Sequence, residues 1–322
     1  MTSPDSAAEG PEAEDDLRPR IGADGSFSLW SVSFGEGFHS PVGARREASE
    51  TFVRPAGLEC RQPGSTLAVV DVCVGLGTNS AALLEAAMAR GLQLQWWGLE
   101  QDCRPLERAL AEPRFRQQWP AAALAMLSQV AALGRWQGAG GSGLALWGDA
   151  RRRLPELLQE QRGRCDLVLL DAFSPRRCPQ LWSQEFLAQL AALLAPRGRL
   201  LTYCSAAAVR RSLLRAGLKL MAITPTQDRD HEPERWSLGT AASPSPLTGS
   251  GGALRPLSPM EREHLGTRAA EPYRDPSAQA SAGEILAARE QAQARSPAPS
   301  SSGWRRRWNL ERRPDVAVSE PA

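Results

Sequence analysis

Four positions in this chain pair a carboxylate or a glycine turn with the end of an apolar run. In Asp71-Val72-Cys73-Val74-Gly75-Leu76-Gly77-Thr78-Asn79, two glycines follow directly on such a run. Glycine lets a backbone approach a ligand where a Cβ would clash. Gly75, Gly77 and Asn79 are therefore candidate cofactor contacts. Glu100 closes the run from Leu92, Asp149 follows Leu144–Trp147, and Asp171 follows Asp166-Leu167-Val168-Leu169-Leu170. A carboxylate at such a place can accept hydrogen bonds from hydroxyls and amines, or take a proton from a nucleophile.

The glycine spacing narrows the cofactor. A dinucleotide fingerprint is Gly-x-Gly-x-x-Gly, because a pyrophosphate sits on the helix that follows. Here the sixth position is Ser80. S-Adenosylmethionine carries no phosphate and does without that third glycine. It does call for an acid after the second strand to receive the ribose hydroxyls, which Glu100 supplies; a solvated strand end is the other reading of Glu100. Asp149 has two readings of equal weight, an acceptor for an adenine amine and an N-cap for the helix after it.

The most specific stretch is Leu170-Asp171-Ala172-Phe173-Ser174-Pro175, running on to Cys178-Pro179-Gln180-Leu181-Trp182. An acid here lies across the switch point from the glycine turn. It can face both cofactor and nucleophile, so Asp171 is the candidate catalytic residue and a candidate cofactor contact. Phe173 and Pro175 would form an apolar rim able to stack on a base. Trp182, on the inner side of a helix, reads as core. His39, beside Ser40, is a candidate substrate contact or a capping residue. Arg210 and Arg211 open a helix near the site, Arg176 and Arg177 sit on the loop after Asp171, and some of these are candidates for phosphate contact, with a solvated helix face as the plainer reading for any one of them.

These residues need a frame. From Leu67 the chain alternates strand-length apolar runs with helical stretches: strands at 67–73, 92–100, 144–147, 166–171, 199–204, 218–224 and 235–240, with helices at 80–89, about 105–133 (interrupted by Pro113 and Pro120), 181–194 and 206–216. Continuous apolar strands joined by helices predict an α/β fold around a parallel sheet covered on both faces. The last two strands lack a helix between them and predict an antiparallel edge hairpin. Ligands of such sheets bind beyond the carboxyl ends of the strands. A helix is expected over 43–53. Residues 1–20 read as a disordered acidic N-terminus, 21–66 as a leading substrate segment and 67–241 as the core. Residues 242–322 read as a Pro/Ser/Arg-rich, largely disordered tail with a short helix near 284–293.

Bulk composition sets limits. The chain has 322 residues, 42% of them hydrophobic, and a formal charge of +2. That suits one catalytic domain with flanking segments and argues against a generic polyanion binder. The six cysteines form no Cys-x-x-Cys pair, and the three histidines show no metal-ligand spacing; reduced thiols and no metal site are expected. No run approaches the roughly 18 apolar residues of a membrane span, and the acidic N-terminus does not read as a signal peptide. A cytoplasmic protein is the expectation.

The set of motifs resembles the methyltransferase of the bacterial MnmC type, which completes the methylaminomethyl group on the tRNA wobble uridine. The resemblance rests on the Gly-x-Gly turn, Glu100, the Leu-Asp-Ala-Phe-Ser-Pro stretch with Pro179 and Leu181-Trp182, and Tyr203-Cys204-Ser205-Ala206 with Val209-Arg210-Arg211. It covers about residues 67–220. Upstream, Gly25-Ser26-Phe27-Ser28, Phe38-His39-Ser40, Gly43-Ala44 and Glu47-Ala48 are similar to the start of single-domain members. Tyr273-Arg274-Asp275-Pro276 resembles a tail motif among them. The resemblance implies a Rossmann-like class I methyltransferase fold with a mostly parallel seven-stranded sheet. It implies S-adenosylmethionine at Gly75, Gly77, Glu100 and Asp149, with Asp171 at the transfer site, and a tRNA substrate. Glu47 joins His39, Phe173, Pro175, Arg210 and Arg211 as candidate substrate contacts. No second dinucleotide fingerprint follows, so no FAD-binding half is expected. Cys178 stands where the family usually has Asn, Arg197 where it has a second glycine, and Gln227-Asp228-Arg229-Asp230-His231 replaces a basic stretch of the long members. An aminopropyltransferase-like enzyme or other small-amine methyltransferase, and a non-catalytic binding module, are the competing readings.

Overall fold

A computed structural model describes residues 16–226, 237–247 and 251–310. The altered stretch at 227–231 and most of the acidic N-terminus lie outside these residues.

Nine strands form the main sheet among the described residues. They are β4 (Thr66–Val72), β5 (Gln93–Glu100), β6 (Arg135–Gly138), β7 (Gly141–Trp147), β8 (Cys165–Leu170), β9 (Leu194–Thr202), β10 (Lys219–Ile223), β11 (Gly239–Ser243) and β12 (Leu254–Arg255). Their order is β12-β10-β11-β9-β8-β4-β5-β7-β6. The pairs β9-β8, β8-β4, β4-β5 and β5-β7 are parallel. β11 lies antiparallel between β9 and β10. The expected seven-stranded arrangement with its antiparallel edge pairing is there, in the order of a class I methyltransferase, with the last strand at Gly239–Ser243 rather than 235–240. Two short antiparallel strands, β6 and β12, extend the edges.

β4 shows why the centre forms. Leu67, Val69, Val70 and Val72 are all buried. Side chains alternate across a strand, so this run fills both faces, and its β-branched residues suit a pleated surface. One apolar cluster lies under helices Thr78–Met88, Arg104–Ala111 and Ala121–Leu133. The other lies under helices Ala150–Gln161, Gln184–Leu193 and Ala207–Arg215. Pro113 opens a short helix, and Pro120 caps the next one. Both prolines start helices, where a missing N–H costs nothing, rather than merely interrupting one. The helix expected over 43–53 runs α-helical over Ala44–Glu47 and continues as a π-helix over Ala48–Val53.

Two regions differ from expectation. Residues 17–20, expected to be disordered, belong to β1 (Leu17–Ile21), which pairs with β2 (Phe27–Ser31), itself paired with β3 (Glu36–Gly37). This separate antiparallel meander buries Leu17, Phe27 and Leu29. Residues 251–310 of the tail are also ordered. Helices Pro259–His264 and Ala282–Arg295 each begin with a capping box, Ser258 with Glu261 and Ser281 with Glu284. Tyr273, Ile285 and Trp304 are buried. The Trp304 indole donates to the Met260 carbonyl and stacks on His264. Polar composition concealed a segment held by a few large anchors.

Candidate active site

The carboxyl ends of β4, β5, β7 and β8 open into a cavity of about 1030 Å³. The meander covers its other side. Gly75, Glu100, Asp149 and Asp171 line it together, with His39, Glu47 and Phe173.

The glycine turn is pinned in place. Cys73 and Gly75 both have positive φ, 66° and 54°. The Gly75 N–H donates to the Glu100 carboxylate at 2.8 Å. A Cβ on Gly75 would come within 3.2 Å of the Phe38 ring, so the turn passes close under the aromatic wall. Gly77 serves differently. It caps helix Thr78–Met88 in a left-handed conformation, and a Cβ there would meet Leu127 at 2.5 Å. Gly77 is therefore a packing glycine and is absent from the cavity lining. Glu100 also accepts from the Gln101 and Asp102 N–H groups. Burial raises its pKa, and the three backbone donors oppose that shift.

Asp149 fulfils the N-cap reading of its position. It caps helix Ala150–Gln161, accepting from the Arg151 N–H at 2.9 Å, and it also lines the cavity. The Arg151 guanidinium binds both its oxygens. Burial pushes the Asp149 pKa up, but Arg151 outweighs that and holds it below the usual carboxylate range.

Asp171 faces the cavity beside Asn79, whose amide donates to its Oδ2 at 2.7 Å. Asn79 thus touches Asp171 and does not itself line the cavity. Burial, and then the negative charge of Glu47, raise the Asp171 pKa well above the usual value, against the Asn79 hydrogen bond. Glu47 accepts from the Ser40 N–H at 2.8 Å, which ties it to the meander side. His39 Nδ1 lies 2.8 Å from the Ser28 hydroxyl. Desolvation lowers its pKa to about 4, against the charge of Asp24, so it is neutral near pH 7.

An aromatic wall closes the cavity. Phe173 stacks on Phe34 with centroids 4.4 Å apart and meets Phe38 edge-on at 5.0 Å. Trp182 is core, as expected, and its indole donates to the Phe173 carbonyl at 2.8 Å. The Tyr203 hydroxyl donates to the Ala172 carbonyl. The Ser174 N–H donates to Glu36 at 2.9 Å, joining the loop after β8 to the meander. Pro175 sits on that loop but outside the cavity lining.

Arg210 overturns a reading. It is 1% exposed and pairs with the buried Glu261 at 3.1 Å, while also donating to Thr240 and Ser237. It anchors the tail to the sheet and is not available for phosphate contact. Arg211 is exposed, away from the cavity lining. Arg176 and Arg177, candidates for phosphate contact, do reach the rim, and so does Arg20, which sequence reasoning missed. Sequence reasoning also passed over Phe34 and Glu36. The run Ser33-Phe34-Gly35-Glu36-Gly37-Phe38-His39, dense in glycine and aromatics, was the available signal.

Residues 116–231 match a sequence family described as S-adenosyl-L-methionine-dependent methyltransferase. The structure is similar to MnmC2 of Aquifex aeolicus, with a TM-score of 0.71 and 28% identity, covering 88% of this chain and 87% of that one. In sequence the chain is 32% identical over 206 residues to the tRNA 5-methylaminomethyl-2-thiouridine biosynthesis bifunctional protein MnmC of Pseudomonas aeruginosa. That match covers 60% of this chain and 31% of the relative. The MnmC of Aeromonas salmonicida is 28% identical over 211 residues, with the same coverage. Over these spans the chain is similar to the methyltransferases of the MnmC type.

It spans about a third of the length of the curated MnmC proteins it matches. Its cysteines are all free, with Cys165 and Cys204 buried, and Cys73 and Cys178, the latter at the position where the family usually has Asn, lining the cavity. Among the described residues no cluster of three or more His, Cys, Asp or Glu could hold a metal ion. No helix among them is long and apolar enough to cross a membrane.

Proposed function

We propose that this chain transfers a methyl group from S-adenosylmethionine to the aminomethyl nitrogen on C5 of a tRNA wobble uridine, working in the cytoplasm. The observation that carries the reading is the meeting of Asp171 and Glu47 in one cavity with the Gly75–Glu100 turn. The donor fits these residues. The close backbone at Gly75 leaves room that a side chain would fill. Glu100 would hold the ribose hydroxyls, and Asp149 the adenine amine. When bound, the donor supplies a methyl already activated on a sulfonium.

The protein then has mainly to position and to move one proton. An amine attacks only when neutral. Asp171, with its raised pKa, is matched to take a proton from an ammonium. Glu47, facing it, holds the nitrogen from the other side. Asn79 fixes which Asp171 oxygen points inward. Phe34, Phe38 and Phe173 exclude water and offer faces on which a base can stack. Arg20, Arg176 and Arg177 at the rim suit phosphates of the flanking strand. In this division of labour, residues 21–66 serve the substrate and 67–241 the donor.

The test is incubation with labelled S-adenosylmethionine and bulk tRNA from a strain lacking its own methylating step, followed by nucleoside mass spectrometry. Label in the methylaminomethyl uridine is expected. Activity on putrescine without RNA would instead mark an aminopropyltransferase-like enzyme, and absence of donor binding by calorimetry a non-catalytic module.

A further inference from the structure

Asp275 lies in the tail, far along the chain from the strand ends, yet it reaches the cavity through a single side chain. It is 2% exposed. Its Oδ2 accepts from the Arg151 guanidinium at 2.8 Å, and the same Arg151 nitrogen donates to the Ala280 carbonyl at 2.9 Å. The remaining edge of that guanidinium binds both oxygens of Asp149, at 2.7 Å from its other terminal nitrogen and 3.1 Å from Nε. Arg151 therefore bridges a carboxylate in the cavity and a carboxylate outside it.

The tail segment is built to hold Asp275 still. The Asp275 N–H donates to Glu185 at 2.9 Å, and the Arg274 Nε donates to the other Glu185 oxygen at 2.5 Å. The Tyr273 carbonyl accepts from the Gln184 N–H. Asp275 Oδ1 accepts from the Ser277 hydroxyl and from the Gln279 and Ala280 N–H groups. The two carboxylate oxygens thus have separate tasks. Oδ1 closes the local turn, and Oδ2 holds Arg151.

We infer that Asp275 is a positioning residue for the donor's adenine, acting through Arg151 to fix the Asp149 carboxylate. The inference rests on the reading of the cavity as a donor site. With one counter-ion on each side, Arg151 holds the Asp149 carboxylate in one direction. Without Asp275, the guanidinium has one partner and the acceptor is no longer held in one direction. A charge-assisted hydrogen bond to a fixed acceptor is stronger than one to a mobile acceptor, because less ordering remains to be done on binding.

Asp275→Asn separates the two tasks. The amide oxygen can keep the Oδ1 turn, while the amide nitrogen cannot accept from Arg151. The measurement is calorimetric titration of the full chain with S-adenosylhomocysteine and with S-inosylhomocysteine, which lacks the exocyclic amine. The variant is expected to lose some stability but remain folded, to bind S-adenosylhomocysteine roughly tenfold more weakly, and to bind the inosyl ligand as the wild type does. In an Arg151→Met background, Asp275→Asn is expected to have no further effect. A folded variant with unchanged S-adenosylhomocysteine affinity, or with both ligands weakened equally, overturns the inference. Should Asp275→Asn fail to fold, Arg151→Met alone decides: equal loss of both ligands overturns the inference, and selective loss of the adenosyl ligand supports it. A wild type that binds neither ligand overturns the donor-site reading, and this inference with it.

Discussion

The two walls of the cavity are made in different ways. The wall proposed for the donor consists of residues at or just beyond the ends of four parallel strands, Gly75, Glu100, Asp149 and Asp171. The strands that carry them are fixed by ladder hydrogen bonds, which reach Glu100 itself through its pairing with Trp147. The substrate wall comes from short antiparallel strands and the turn after them, with Phe34, Glu36, Phe38 and His39, and from the helix bearing Glu47. It joins the donor wall through a few side-chain contacts, the Phe34–Phe173 stack and the Glu36–Ser174 hydrogen bond among them. A rigid wall suits a small donor that must be aligned in one geometry. A wall held by aromatic contacts suits a larger substrate whose base must enter and leave.

The largest expected effect lies where the walls meet. Asp171→Ala should lower turnover by roughly 10²- to 10⁴-fold, the range for loss of a general base, with donor affinity little changed. Equal loss of turnover and donor binding would place Asp171 wholly on the donor wall and blur the contrast. The rate should also rise with pH through the raised Asp171 pKa, because only its ionised form takes a proton. A rate that falls with pH there would remove the base from the account.

Arginines sharpen the same comparison. Arg210→Ala breaks a buried pair with Glu261 and should cost about 3–5 kcal/mol of stability, read by chemical denaturation. Arg176→Ala and Arg177→Ala change exposed rim residues. Each should leave the melting temperature in place, weaken tRNA binding and reduce its salt slope by about one. A rim substitution that destabilises, or an Arg210 substitution that changes only RNA affinity, would reverse these assignments.

A further effect concerns Asp71, buried beneath the wall proposed for the donor and hydrogen-bonded to Ser80. Burial raises its pKa from 3.8 to about 7, against the Ser80 bond and with the charge of Glu100. The folded state then binds more protons than the unfolded state between those values. Stability must therefore fall as pH rises from about 4 to about 7. Asp71→Asn should flatten that decline in thermal melts; an unchanged slope would mean that the group does not titrate there.

The same contrast decides what could be read from the sequence. Donor-wall residues were legible because a strand end fixes a position: Val69, Val70 and Val72 announce β4, and whatever follows must face the cavity. Gly77 was assigned to the ligand because the motif does not distinguish a glycine needed for close approach from one needed to clear Leu127. The meander was hidden because its strands are short and mix serine with aromatics. Arg210 was misread because its partner, Glu261, lies 51 residues away. The tail was dismissed on composition, although its two Ser–Glu capping boxes mark helix starts.

The claim of two walls with separate tasks is tested most directly by the affinity for S-adenosylhomocysteine, measured by calorimetry on Glu100→Gln and Glu47→Gln. Glu100→Gln should lose about tenfold or more, because its carboxylate both holds the Gly75 turn and receives the ribose. Glu47→Gln should bind the ligand as the wild type does. Equal affinities in the two variants, or a loss confined to Glu47→Gln, would contradict the account.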